Sequence, residues 1–179
     1  MISSQTKQSI NYIFAKAAKA TLALGSGDQC QVEVLPGKNE VELSGKHVVV
    51  FTISSFLFRV VIMFHIDSEP TTQNYFLKGK DDKSFTEIFT EAGNLCVGKI
   101  NHELLRYFPH LGMSTPYILS GECIPFLNKL KPGYQSQHAI SINSSICLHA
   151  TVYMCGYAPI DFSADKNIIE EATSELELF

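Results

Sequence analysis

The chain reads as one α+β domain, a mostly antiparallel sheet with helices packed on it. Three observations predict this. The periodic segments run helix, strands, helix, helix, strands, without the regular alternation that builds doubly wound sheets. Two neighbouring runs, His47 to Ile53 and Phe56 to Ile66, are β-branched and aromatic on both faces, as central strands are. The 179 residues show no linker, repeat or low-complexity tract, and that length is usual for a single domain spanning 1–179.

Each element follows from its local pattern. From about Gln5 to Leu24, the residues Ile10, Ile13, Phe14, Ala17, Ala20, Thr21 and Leu24 recur at three- and four-residue steps, which predicts a helix. Gly25-Ser26-Gly27 ends it. Cys30 to Leu35 and Glu40 to Leu43 alternate polar and apolar across Pro36-Gly37-Lys38-Asn39, the signal of a hairpin with one solvated face. The two central strands meet near Ser54-Ser55. Glu69-Pro70 opens a short helix that stops at Gly79, and a long helix runs from Ser84 to about Phe108, stopped by Pro109. A strand is expected over Tyr117 to Cys123. A closing hairpin pairs His138–Asn143 with Ile146–Tyr157 over Ser144-Ser145. The tail from Ala164 to Phe179 is acidic and moderately helical, a peripheral segment that either docks or frays.

Composition narrows the function classes. Charged residues make up 18% of the chain, below the usual ~25%, and the hydrophobic fraction is 45%, so the core is expected to be well filled. The net charge is −4 and no Lys/Arg cluster occurs, which argues against a nucleic-acid partner. The opening MISSQTKQSI has no basic segment leading into an apolar run, and Ile53 to Ile66 is too short for a membrane helix, so a cytoplasmic protein without membrane contact is expected. The five cysteines, Cys30, Cys96, Cys123, Cys147 and Cys155, are odd in number and contain no C-x-x-C, so they read as buried reduced thiols. The six histidines make no metal-ligand spacing with cysteines or carboxylates, and neither a P-loop nor a nucleophile elbow is present.

The long helix carries the one polar constellation that stands out. Ser84-Phe-Thr-Glu87 fits a capping box, which places the helix start near residue 84. Phe85, Ile88, Phe89, Ala92, Leu95, Cys96 and Ile100 form the expected core stripe. Glu87, Glu91, Asn94 and Gly98 form a second stripe about 140° around the helix from the first. Glu91 and Asn94 are one turn apart, with Cβ atoms about 5–6 Å from each other. Gly98 costs about 1 kcal/mol against alanine in a helix interior, so close approach of another backbone is expected there. His102, one turn beyond Gly98, borders the stripe. By spacing alone, such a stripe is also what a solvated helix face looks like.

The residues Glu87-Ile-Phe-Thr-Glu91-Ala-Gly-Asn94-Leu-Cys-Val-Gly98, followed by Pro116, resemble the signature of the CheC/CheX chemotaxis phosphatases. That signature runs Asp or Ser, three residues, Glu, two residues, Asn, about twenty-two residues, Pro; here twenty-one residues separate Asn94 from Pro116. Phe76-Leu-Lys-Gly79 resembles the end of the preceding family helix, and Thr115-Pro116-Tyr-Ile-Leu-Ser-Gly121 its Pro-strand-Gly segment. The closing hairpin after Lys131-Pro-Gly133 also fits, and the similarity is clearest over residues 40 to 157. Three features depart from the pattern. Glu87 stands at the Asp/Ser position, the strand pair lacks the glycine-rich turn common in relatives, and one Glu/Asn site occurs where CheC proteins have two. The last points to the CheX branch. Gln8-Ser-Ile-Asn11 repeats the spacing with Gln for Glu and reads as coincidence.

The resemblance implies hydrolysis of the aspartyl phosphate on a CheY-like response regulator. Asn94 would position the attacking water and Glu91 would pair with the regulator's active-site lysine. Glu87, Gly98 and His102 are the further partner-binding candidates, with Glu87 favoured for the cap. No cofactor of its own is implied; the Mg2+ would belong to the regulator. A homodimer formed through strands is a second implied partner. The alternative reading is a non-catalytic CheX-like module that binds a response regulator or signalling scaffold.

Overall fold

The computed structural model describes residues 1–36, 47–66, 69–80 and 82–165. Helix α1 (Ser4–Thr21) starts at Ser3, whose hydroxyl caps the Thr6 amide at 3.1 Å. Strand β1 (Cys30–Leu35) pairs antiparallel with β6 (Tyr134–Ile142) rather than with a sequence neighbour, and the expected strand Glu40–Leu43 lies outside the described residues. Strands β2 (His47–Ser54) and β3 (Phe58–His65) are the central hairpin. Helix α2 (Pro70–Leu77) begins on its proline and is followed by Gly79 at φ 74°, a conformation glycine adopts without strain. Helix α3 (Phe85–Leu105) follows, then β4 (Gly112–Met113), β5 (Tyr117–Ser120), a 3₁₀ segment (Gly121–Leu130), β6 and β7 (Ile146–Gly156).

The seven strands form one sheet in the order β1-β6-β7-β3-β2, and every strand pair in it is antiparallel. The outer side of β2 is shared by two short strands. β5 pairs along His47 to Val50, and β4 pairs at Ile53 and Ser54. The β6–β7 turn places Asn143 and Ser144 at φ 52° and 58°, the two positive-φ positions of a type I′ turn, one residue earlier than expected.

Alternation along the strands sends two residue sets to opposite faces. Phe51, Ile62, Phe64, Ile140, Ala150 and Val152 face α1 and α3 and make the main core. Phe64 is its hub, with the Phe14, Phe51 and Phe89 rings 6.2, 6.1 and 5.7 Å from its own. On the opposite face Val48, Val50, Val61, Met63 and Tyr153 are covered by Cys123, Ile124 and Leu127 of the 3₁₀ segment. That segment replaces the end of the strand expected to reach Cys123. This is why the central strands are apolar on both faces although helices cover only one.

Several local expectations change. Ala20 and Leu24 are exposed: Ala17, Ala18 and Leu22 take the buried positions at this end of the helix, and α1 ends at Thr21, before Leu24. Phe56 is 95% exposed at the tip of the β2–β3 turn rather than inside a strand. Cys147 is exposed while Cys96 and Cys155 are buried, and all five thiols are free. The segment Ile160–Ala164 straps the edge of α1: Thr6 Oγ1 donates to Ile160 O at 3.2 Å and accepts from Phe162 N at 3.1 Å, and Ser9 Oγ accepts from Ala164 N at 2.9 Å. The tail beyond Asp165 lies outside the described residues.

Candidate functional site

Helix α3 lies beside α1, and the two are tied by an ion pair from Lys16 Nζ to Glu103 Oε1 at 3.2 Å. Its start is the capping box read from the sequence. Ser84 Oγ accepts from the Glu87 amide at 3.2 Å, and Glu87 Oε2 accepts from the Ser84 amide at 2.8 Å. The Ser84 hydroxyl also donates to Glu87 Oε2 at 2.8 Å. These bonds, the backbone one first, hold the Glu87 carboxyl below its ordinary pKa. Glu87 is thus committed to the helix terminus, where a negative charge also suits the helix dipole.

Ile88, Phe89, Ala92, Cys96, Val97, Ile100 and Leu104 turn inward and are buried. This anchors the opposite face, on which Glu87, Glu91, Asn94 and His102 are exposed and Gly98 is half-buried. The stripe inferred from periodicity therefore exists as one outward face. Asn94 has no hydrogen-bond partner among the described residues, so its amide is open to solvent. Glu91 does have one: its Oε1 accepts from Lys83 Nζ at 2.8 Å, with the two side chains 59% and 48% exposed. The Glu91 hydrogen bond is the largest cause of a raised Lys83 pKa.

Two glycines on α3 do different things. Gly93 faces the sheet, and a Cβ there would sit 3.0 Å from two carbons of the Phe51 ring. At Gly98 a Cβ would meet no described atom within 4 Å. The close backbone approach expected at Gly98 is thus not made by the described chain, whereas Gly93, which periodicity did not single out, is the glycine that internal packing demands.

Leu95 corrects the expected core stripe. It is 65% exposed, next to Asn94 and one turn beyond Glu91. Its angular position sits at the margin of the core face, where the packing of neighbours decides burial. The constellation missed from the sequence is therefore Lys83, Leu95 and Gly93; only the charge of Lys83, just ahead of the capping box, was visible there as a signal. On α1, Gln8 is exposed but Asn11 is half-buried with its amide oxygen enclosed, so that pair does not reproduce the open arrangement of Glu91 and Asn94.

Chemically, the face offers one carboxylate that binds an ammonium group and one neutral carboxamide that can accept from water and donate. Among the described residues no three of His, Cys, Asp and Glu come together as a cation site, and no helix is long and apolar enough to cross a membrane.

No protein-family profile and no curated protein matches the chain in sequence. Solved structures do match it in shape. CheX of Desulfovibrio desulfuricans superposes with a TM-score of 0.52 at 19% identity, covering 82% of this chain and 98% of that one. The chain has the CheC/CheX fold. CheX of Borrelia burgdorferi, solved in a complex with CheY, BeF3 and Mg2+, matches with a TM-score of 0.51 at 12% identity over 83% of this chain and 96% of its own. The middle domain of FliM from Vibrio alginolyticus matches with a TM-score of 0.55 at 11% identity, over 81% and 90%. The α+β architecture expected from the sequence is thus the architecture found. Within this CheC/CheX fold, Glu91 and Asn94 occupy the outward face of α3.

Proposed function

We propose that the chain is a phosphatase for the aspartyl phosphate of a CheY-like response regulator, working in the cytoplasm. The observation that carries this reading is the shared exposure of Glu91 and Asn94 on one turn of α3 within a CheC/CheX fold.

An acyl phosphate is already activated, so the requirement is mainly to place a water in line with the phosphorus. The Asn94 amide oxygen accepts a hydrogen bond from that water and brings no charge to repel the phosphoryl oxygens. The water oxygen forms the new P–O bond, the bond from phosphorus to the aspartyl oxygen breaks, and the electron pair stays on the regenerated carboxylate. The water's protons leave with inorganic phosphate and solvent. Glu91 pairs with an ammonium on the regulator and sets the orientation of docking more than its strength. Gly98 and His102 flank the contact. The Mg2+ belongs to the regulator's own site, and this chain contributes Asn94 and Glu91 to the reaction.

A homodimer is part of this reading. Among the described residues strand β5 pairs with β2 alone, and Tyr117, Ile118 and Leu119 along it are exposed, an apolar edge of the kind that accepts another strand.

The test is phosphate release from a phosphorylated CheY-like receiver. Wild type accelerates it, and Asn94→Ala reduces that acceleration on the order of 10²-fold with its thermal unfolding unchanged. Equal rates for both would overturn the mechanism. A second reading is a regulator-binding module without catalysis, in which the exposed Glu91 and Asn94 only recognise the partner. Binding of the receiver with no faster phosphate release would select it.

A further inference from the structure

The carboxylate that the proposed function reserves for a partner's ammonium already holds one of this chain's own. Lys83 Nζ donates to Glu91 Oε1 at 2.8 Å. The capping box explains why Lys83 selects Glu91. Glu87, the nearer carboxylate, has its Oε2 engaged by both the amide and the hydroxyl of Ser84. Lys83 leaves the chain immediately ahead of that fixed turn, and Glu91 is the next carboxylate on the same face of α3. The hydrogen bond to Glu91 raises the Lys83 pKa, so the group stays an ammonium through neutral pH. Both side chains remain about half exposed, so the pair opens readily to a competitor.

We propose that Lys83 is an internal competitor on the Glu91/Asn94 face, filling the Glu91 carboxylate in the free chain so that a docking partner must displace it with a cation of its own. This rests on the function proposed above and adds what that reading lacks, an intramolecular contact that holds docking in check. A surface without a suitably placed ammonium or guanidinium leaves the Lys83–Glu91 pair intact and gains no contact with the carboxylate. A surface that carries one exchanges one ion pair for another, and the displaced Lys83 then stands beside a like charge, which weakens the complex. Lys83 therefore lowers the affinity of the face for a cation-bearing partner.

The experiment measures binding of the full chain to a CheY-like receiver loaded with beryllofluoride and Mg2+, by titration calorimetry. Lys83→Gln is expected to lower Kd about two- to fivefold, the range that exposed ion pairs reach in double-mutant cycles. In a Glu91→Gln background the same substitution is expected to tighten binding clearly less, because only the repulsion between Lys83 and the partner's cation is removed and no ion pair remains to be broken. An unchanged or higher Kd for Lys83→Gln in the wild-type background overturns the proposal. Equal tightening in both backgrounds also overturns it, by showing a general effect of net charge. Failure of the wild-type chain to bind any such receiver is a separate result, seen before any variant is made, and removes the functional reading together with this one.

Discussion

Gly93 lies so close to Phe51 that a side chain there would place its first carbon 3.0 Å from Cε2 and Cζ of the ring. Phe51 cannot give way easily, since it is fully buried and stands edge-on to Phe64 at 86°. Gly93→Ala is therefore expected to destabilise the fold by about 1 kcal/mol or more, overpacking outweighing the helix propensity gained. Gly98→Ala, into open space on the same helix, is expected to stabilise it by about 0.5–1 kcal/mol. Urea unfolding of the two variants should move the midpoint in opposite directions at unchanged slope.

Leu95 should act in docking without acting in chemistry. A leucine 65% exposed beside Asn94 has apolar surface to bury against a regulator, and full burial of such a side chain contributes about 1.5–3 kcal/mol. Leu95→Ser is expected to raise KM for the phosphorylated regulator about tenfold and to leave kcat and folding stability nearly unchanged. A fall in kcat with KM constant would place Leu95 in the chemical step instead.

Acid should loosen the fold through two histidines. His138 is fully buried against the Phe14 ring at 4.3 Å, with Nε2 bonded to Ser136 Oγ at 3.0 Å and Nδ1 without a partner among the described residues. His65 bonds Thr151 Oγ1 at 3.0 Å, and its Nδ1 is likewise without a partner among them. Burial lowers both pKa values from 6.5 to about 4, and His149, paired with His65 across β3 and β7, adds to the second shift. The unfolded chain then binds more protons than the folded one between these values. The stabilisation is complete above about pH 6.5 and is lost as pH falls toward about 4, by on the order of 3 kcal/mol per histidine. Urea unfolding at pH values across that window should show the decline, and a flat profile would contradict it.

The strap over α1 should depend on Thr6. Its hydroxyl serves both Ile160 O and Phe162 N inside the protein. Thr6→Val keeps the shape but leaves the Phe162 amide unpaired and Ile160 O held only by the Ser3 amide at 3.1 Å, at an expected cost of about 1–3 kcal/mol. Hydrogen exchange at the Phe162 amide should accelerate in the variant; unchanged protection would show that the strap does not depend on Thr6.

The parts legible in advance were those governed by local chemistry. Ser84 and Glu87 signal a helix start because both halves of the capping box lie within one turn. The exposure of Glu91 and Asn94 followed from the 3.6-residue period, and the central position of β2 and β3 from apolar residues on both faces. What escaped was set by contacts between distant segments. β1 finds its partner more than a hundred residues away in β6, and the 3₁₀ segment Gly121–Leu130 has no period that marks it as the cover of the second sheet face. Leu95 looked like core because its angular position is marginal, and only the lie of α3 on the sheet leaves it in solvent.

For this protein, the amino-acid order alone determined the helical address of Glu91 and Asn94, because hydrogen bonding within one helix makes a residue's facing a matter of counting. The tertiary structure alone decided that Lys83 occupies Glu91, that Gly93 rather than Gly98 is demanded by packing, and which strand lies beside which. Those outcomes depend on the three-dimensional placement of whole segments, and periodicity within one segment carries no information about what stands opposite it.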